Sequence, residues 1–238
     1  MKKVYTAKLT VIYVGIVMFF LLCAFGASHA VTAMSENSVL KNRSCVIIDA
    51  GHGGEDGGAT SCTGVLESQI NLEISLRLND LMHLLGVKTQ MIRTTDRSVY
   101  TQGQTIAAKK VSDLKQRVSI ANSTENAVLL SIHQNHFSDS RYSGAQVFYA
   151  PTQDSKELAD ALQKDLITSV NPDSNRKIKK AESVYLMQHI HCTGVLVECG
   201  FLSNAKEESL LRNDAYQKKL SCVIATTLVN FLDRRSID

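Results

Sequence analysis

Beyond its first thirty residues, the sequence has no net excess of positive or negative charge. The 238-residue chain has 26 Lys and Arg against 23 Asp and Glu. Lys2, Lys3 and Lys8 account for the excess of +3, because residues 1–30 contain no acid. The remainder is balanced and has no Lys/Arg cluster with interleaved aromatics; the basic run at 176–180 is typical of a solvated loop. Duplex-binding proteins usually present a basic face, so nucleic acid is excluded as an expected partner.

No two cysteines have the CxxC spacing, which argues against a thiolate zinc site. After Cys23 the sequence has an odd number of cysteines at scattered positions: Cys45, Cys62, Cys192, Cys199 and Cys222. That pattern also argues against a disulfide framework. We expect these side chains to be mostly buried small hydrophobic groups.

One long apolar run is present, and it lies near the N-terminus. An uncharged stretch from Leu9 to Ala27 follows the three lysines, and small residues continue from Ser28 to Ala33. Ser28–Ala30 fits a small-x-small cleavage site, whereas the run is also nearly long enough to span a bilayer. Residues 1–35 are therefore predicted to be either a signal peptide or a membrane anchor. Both alternatives place the rest of the chain outside the cytoplasm, secreted or membrane-anchored.

Residues 44–234 alternate short apolar runs with longer periodic ones, which predicts a single α/β domain with a twisted, mostly parallel sheet flanked by helices. No period of 20 to 50 residues indicates repeat modules. Runs rich in Val, Ile and Leu predict buried strands at Cys45–Asp49, Val87–Ile92, Ala127–Ile132, Ala145–Tyr149 and Gly194–Glu198.

Apolar residues three or four positions apart predict the helices. The first contains Ile70, Ile74, Leu78, Leu81 and Leu85, and Gly86 follows as a left-handed stop. Three further helices are predicted around Leu114–Ala121, Leu158–Leu166 and Ala215–Leu232. Asn204 with Glu207 predicts a capping box at a helix start. The polar stretch Arg97–Val111 is predicted to be a long surface loop, or a flap over the site.

Side chains capable of chemistry follow three of the predicted strands. His52, His133 and Glu198 come at or just past carboxyl ends of strands, where ligands bind in open α/β sheets. Glu67 opens the first predicted helix and can face the same crevice. Glycine-dense residues 51–58 allow close approach of the backbone to a ligand, and the Lys-Ser/Thr ending of a phosphate-binding P-loop is absent.

Two imidazoles and one carboxylate make a three-ligand zinc site with one open position, as catalytic zinc requires. Zinc lowers the pKa of a bound water to about 7 and needs a carboxylate to take and return the proton. Glu198 suits that role. No short HExxH pattern fixes two ligands on one helix, so spacing alone leaves a structural role for each His open.

Four strings in the chain resemble segments of the zinc-dependent N-acetylmuramoyl-L-alanine amidases of the third type. They are Ile48–Gly58 (IDAGHGGEDGG), Gly64–Leu72 (GVLESQINL), Ser131–Asn135 (SIHQN) and Val195–Asn204 (VLVECGFLSN). The resemblance implies one zinc held by His52, Glu67 and His133, with Glu198 as general base and acid. It further implies that Asn135 orients the substrate.

The resemblance also implies a substrate, the amide that joins N-acetylmuramic acid to L-alanine in peptidoglycan. The chain departs from the family at Ala50, where proline is more usual, and at His136, where a small residue is more usual. The first change is expected to loosen the turn that presents His52. Two alternatives stay open: another zinc-dependent wall peptidase or deacetylase, and a catalytically silent wall-binding protein.

A narrower resemblance is to the branch of this family that trims spore cortex. It rests on Ser143–Pro151 (SGAQVFYAP), on the polar loop before Asp113–Asn122 (DLKQRVSIAN), and on the N-terminal apolar segment. The branch implies removal of peptide stems before muramic lactam formation, a role in germination, and a location between the forespore membranes. An activating protein partner is compatible with the sequence but cannot be read from it.

Overall fold

The computed structural model describes residues 44–235 and the short helical pair Met18 and Phe19. The candidate cleavage site Ser28–Ala30 and almost all of the predicted signal peptide or anchor lie outside the described residues, and the choice between the two stays a prediction. Within the described part of the chain, no helix combines the length and apolar character needed to cross a membrane.

Six strands form one sheet in the order β2-β1-β3-β6-β4-β5. Neighbouring strands are parallel except for the pair β4 and β6, which is antiparallel. The sheet is therefore mostly parallel, as the sequence predicts. Its strands are β1 Cys45–Ala50, β2 Thr89–Met91, β3 Ala127–Asn135, β4 Gln146–Tyr149, β5 Lys179–Lys180 and β6 Thr193–Phe201.

The two central strands are longer than their apolar runs predict. β3 continues from Ile132 to Asn135, and β6 continues from Glu198 to Phe201. Their pairing shifts register between His133 and Asn135, and Asn135 then lies opposite Phe201. Backbone pairing, which does not depend on side-chain polarity, carries β3 through His133, Gln134 and Asn135, and it carries β6 past Glu198 into the apolar residues that follow. β5 was not predicted, because its two residues are exposed lysines.

Helices cover both faces of the sheet. Helices α1 Glu67–Leu84, α3 Ser155–Ser169 and α6 Asp214–Arg235 pack on one face, and α2 Ile106–Ser123 and α4 Tyr185–His189 pack on the other. A short helix, α5 Ala205–Leu211, contacts β6 and α6. The predicted helix positions are confirmed, and Gly86 after α1 has a left-handed φ of 72°.

Two local predictions need correction. The segment Arg97–Val111 is a loop only as far as Thr105, because α2 begins at Ile106 and the Thr105 side chain caps it by accepting from the backbone N–H of Ala108. Asn204 does cap α5, but the Glu207 side chain does not reach back to complete a capping box. It accepts instead from the backbone N–H groups of Gly144 and Phe201, which tie α5 to the sheet.

Within the described residues, Cys45, Cys62, Cys192, Cys199 and Cys222 form no disulfide, and contrary to the prediction they are not mostly buried. Only Cys45 and Cys199 are buried, whereas Cys192 is half-buried and Cys62 and Cys222 are exposed. Cysteine content alone therefore did not predict their burial. Cys45 and Cys199 are buried because they lie in β1 and β6, which are interior strands of the sheet.

Candidate functional site

The three residues expected to bind metal converge at the carboxyl ends of β1 and β3. Ligand atoms of His52, Glu67 and His133 all lie within 4.8 Å of one another. Glu67 lies between the imidazoles: its Oε2 is 3.3 Å from His52 Nε2, and its Oε1 is 2.9 Å from His133 Nδ1. The three separated sequence positions thus form one cluster of donors.

The turn after β1 presents His52 in an uncommon backbone conformation. His52 has a φ of +61°, in the left-handed region that residues with a Cβ seldom occupy. The loop then folds back so closely that a Cβ on Gly58 would lie 2.6 Å from Glu67 Oε2 and 2.7 Å from His52 Cδ2. The close approach expected of the glycine-dense turn is present at this position.

A second carboxylate fixes the orientation of His52. Its Nδ1 lies 2.9 Å from Asp56 Oδ2, so Nδ1 carries the donated proton and Nε2 is left facing the cluster. Burial alone would lower the pKa of His52, but hydrogen bonds to Asp56 and Glu67 outweigh burial and raise the pKa to about 9. The hydrogen bond with His52, the main cause, holds the pKa of Asp56 below its ordinary value.

Glu67 is held ionised at the first turn of α1. Its Oε2 accepts from the backbone N–H of Ala59 at 2.9 Å, and its Oε1 accepts from the backbone N–H of Gln134 at 3.2 Å. Burial acts to raise the pKa of Glu67, but hydrogen bonds with His133 and His52 dominate and hold the pKa well below its usual range. An ionised, fixed carboxylate is the form that binds a metal.

Glu198 lies beside His133 on the adjacent strand. The two residues are directly paired between β3 and β6, so their side chains project from the same face of the sheet. The Oε2 atom of Glu198 is buried and has no hydrogen-bond partner. Burial raises the pKa of Glu198 to about 7, and the nearby charge of Glu67 acts in the same direction. A carboxyl group with this pKa can exchange a proton near neutral pH.

The remaining site predictions concern the ends of the central strands. Asn135 lies half-buried at the register shift of β3, and its backbone carbonyl accepts from Leu202. His136 is exposed just past the strand. Hydrogen bonds support the turn at Ala50. The Ala50 carbonyl accepts from Arg93 Nε at 2.8 Å and from Arg117 Nη1 at 3.1 Å.

Buried residues that sequence reasoning missed surround the cluster. Arg117 is buried in ion pairs with Asp49 and Asp113, and it also donates to the His52 carbonyl at 2.8 Å. Asn71 donates to Glu67 Oε1 at 3.2 Å. The sequence carried one sign of the Arg117 ion pairs. Asp113 lies four residues before Arg117, a spacing that allows an ion pair on a helix, and the pair lies among the apolar positions of that helix.

The donor set fits a zinc ion. Two imidazole nitrogens and one carboxylate oxygen converge, and imidazoles and carboxylates are ligands that catalytic zinc takes in sets of three. Asp56 gives one imidazole the second-layer hydrogen bond that is typical of metal-binding histidines. The unpartnered oxygen of Glu198 adds a proton acceptor beside the cluster.

Known proteins resemble the chain over most of its length. The sequence profile of N-acetylmuramoyl-L-alanine amidases matches residues 46–230. The germination-specific N-acetylmuramoyl-L-alanine amidase of Bacillus subtilis (strain 168) is 33% identical over 192 residues, which cover 80% of each chain.

Solved structures agree with the profile. The CwlD amidase from Clostridioides difficile, determined in complex with the GerS lipoprotein, is 38% identical with a TM-score of 0.77, covering 82% of this chain and all of that one. An N-acetylmuramoyl-L-alanine amidase from Clostridium difficile 630 is 29% identical with a TM-score of 0.70, covering 81% and 98% of the two chains. The chain therefore belongs to the N-acetylmuramoyl-L-alanine amidase family and is a peptidoglycan amidase.

Proposed function

We propose that this amidase depends on one zinc ion held by His52, Glu67 and His133, with Glu198 as the proton-transfer group. The observation that carries the proposal is the buried, unpartnered Oε2 of Glu198 beside that cluster. A buried carboxylate oxygen normally has a partner. The absence of a hydrogen-bond partner for Glu198 Oε2 is explained if this atom interacts with substrate and water instead of stabilising the fold.

The chain's own residues divide the work of the reaction. A zinc ion in this cluster supplies Lewis acidity toward the scissile carbonyl and lowers the pKa of water. Glu198 takes the proton from the attacking water and returns it to the departing amino group of L-alanine. Asp56 keeps the proton of His52 on Nδ1, and Asn135, at the end of β3, orients the substrate.

Digestion of purified peptidoglycan by the zinc-loaded protein, followed by mass spectrometry, tests the proposal. An amidase leaves intact glycan strands and frees the amino group of L-alanine. A wall peptidase would cut between amino acids, a deacetylase would release acetate, and a silent wall-binding protein would bind without cleaving. Any of these last three results under zinc-replete conditions would contradict the proposed reaction.

Metal analysis tests the ligand assignment separately. We expect about one zinc per wild-type chain and much less in a His133→Ala variant, because two ligands hold zinc less tightly than three. His136→Ala is the matched control, since that imidazole is exposed and lies outside the cluster. Unchanged zinc content in His133→Ala would remove His133 from the site.

We further propose that the amidase acts in spore cortex, where removal of peptide stems precedes formation of muramic lactam. The germination-specific relative in Bacillus subtilis and the CwlD relative support this role. Deletion of the gene should leave vegetative walls nearly normal, while cortex lacks muramic lactam and spores germinate poorly. Expression confined to growing cells with unchanged cortex composition would refute the cortex role and leave the amidase activity standing.

The cortex role carries two further proposals, on location and on a partner. The amidase acts outside the cytoplasm, between the forespore membranes, as a secreted protein or anchored through its N-terminal segment. It also binds a protein partner, as the CwlD relative does in its complex with a lipoprotein. Fractionation of sporulating cells, with affinity capture of the full-length chain, tests both: a cytoplasmic protein without a bound partner would contradict them.

A further inference from the structure

Arg93 is a buried cation without a carboxylate partner. Its residue is 1% exposed, and within the described part of the chain no acidic side chain lies within 4 Å of its guanidinium. Arg117, the neighbouring buried arginine, has two such partners. Burial and the like charge of Arg117 lower the pKa of Arg93. An unpaired buried charge is costly, so the position calls for an explanation.

Backbone carbonyls take the place of the missing carboxylate. Arg93 donates from Nε to Ala50 at 2.8 Å, from Nη2 to Gly51 at 3.0 Å and Ser68 at 2.8 Å, and from Nη1 to Thr95 at 3.1 Å. These acceptors belong to three separate segments: the end of β1 with its turn, the start of α1, and the loop after β2. One side chain therefore joins all three.

The joined segments are the ones that carry metal ligands. Gly51 directly precedes His52, and Ser68 directly follows Glu67. Arg93 Nη2 bridges these two segments through the carbonyls of Gly51 and Ser68. One planar group thus contacts the neighbours of both ligands.

Asn71, which is fully buried, makes a second bridge between the same segments. Its Nδ2 donates to the Gly51 carbonyl at 3.1 Å and to Glu67 Oε1 at 3.2 Å. Its Oδ1 accepts from Gln134 Nε2 at 3.2 Å, and Gln134 follows His133 in β3. Arg93 and Asn71 therefore converge on one carbonyl, that of Gly51.

We propose that Arg93 and Asn71 are positioning residues that hold His52 and Glu67 at metal-binding separation. The inference rests on the proposed zinc site. The planar guanidinium bridges two carbonyls from one nitrogen while its other nitrogens reach two more, whereas the ammonium of lysine is a point charge on a flexible stem. Without either bridge, the separation of His52 and Glu67 is less fixed. Loss of a bridge therefore lowers the affinity for zinc more than it lowers the stability of the fold.

Zinc affinity of the full-length chain, measured against a competing chelator, tests the proposal. We expect Arg93→Lys and Asn71→Ala to weaken zinc binding by about 10- to 100-fold, the range found for outer-layer partners of metal ligands. Gln163→Ala is the matched control, because Gln163 is a buried amide that bridges the backbone of Ala145 and Val147. That variant should lose thermal stability and keep its zinc affinity.

Melting temperatures with and without zinc separate positioning from a merely structural role. Positioning predicts that the gain in melting temperature on adding zinc shrinks in both site variants. If the variants lose the same number of degrees in melting temperature with and without zinc, and their zinc affinity is unchanged, the proposal is overturned. If Arg93→Lys does not fold, Asn71→Ala decides alone. If the wild-type chain binds no zinc, the metal site itself is refuted. If the wild type binds zinc normally and the two variants bind it equally well, only the positioning role is refuted.

Discussion

Gly51 lies directly against the imidazole of His133. A Cβ built on Gly51 would come within 2.2 Å of His133 Cε1 and Nε2, a separation that real atoms do not tolerate. The residue that precedes the first ligand thus packs on the third, with no space for a side chain between them. A side chain at the position before His52 would therefore have to displace the His133 ring.

Gly51→Ala should displace the His133 ring and lower both zinc content and amidase activity. The φ of Gly51 is not positive, so the effect is steric and not one of backbone strain. Gly64→Ala is the control: Gly64 has a φ of +90° but no atom within 4 Å of the added Cβ. That change should cost about 1 kcal/mol of stability and leave zinc content intact. Normal zinc content in Gly51→Ala would contradict the steric argument.

Glu198→Gln should give a folded, zinc-loaded and nearly inactive protein. The amide keeps the shape of the side chain but cannot accept the proton of water, so we expect a rate loss on the order of 10² to 10⁴. Stability should not fall, because the Oε2 atom of Glu198 has no hydrogen bond to lose. In contrast, Glu67→Gln should lose zinc. Single-turnover assays with metal analysis distinguish the variants, and a fully active Glu198→Gln protein would refute the mechanism.

Asp56→Asn should weaken zinc binding by about 10- to 100-fold, because the Nδ1 proton of His52 loses its carboxylate acceptor. Lys110 also contacts Asp56, at 3.3 Å and on the surface. Lys110→Ala therefore serves as the control, and exposed ion pairs contribute only about 0 to 1 kcal/mol. Equal zinc affinities for the two variants, measured by chelator competition, would exclude a role for the negative charge of Asp56 in metal binding by His52.

Arg117→Met should destabilise the protein by about 3 to 5 kcal/mol at pH 7, since it leaves Asp49 buried without its cation. In the wild type, burial acts to raise the pKa of Asp49, but Arg117, together with a hydrogen bond from Ser131 and the charge of His133, outweighs burial and lowers the pKa.

That lowered pKa gives stability that is present above the unfolded value of about 3.9 and is lost as the pH falls below it. Without Arg117, burial is opposed only by the smaller effects of Ser131 and His133, so the pKa of Asp49 rises and the variant regains stability as Asp49 takes up a proton. The difference between the two proteins should therefore shrink from pH 7 to pH 4 in urea unfolding. A constant difference would refute the assignment to Asp49.

Apolar periodicity predicted the strands and helices that form the core, because burial alone decides those positions. It failed where backbone pairing or a single hydrogen bond decides the structure. By pairing with each other, β3 runs on through polar residues and β6 runs on past Glu198. Thr105 starts α2 inside a stretch that is polar in sequence. Glu207 has the spacing of a capping box but binds Gly144 and Phe201 instead.

The sequence by itself determined the fold class, the family, and the candidate residues His52, Glu67, His133 and Glu198, because strand ends and short motifs are local features. Only the tertiary structure decided how those residues are held. Arg93 and Asn71 lie 42 and 20 positions from Gly51 along the chain, yet both donate to its carbonyl. No local pattern encodes such contacts, since they arise only when β1, α1 and the loop after β2 pack together.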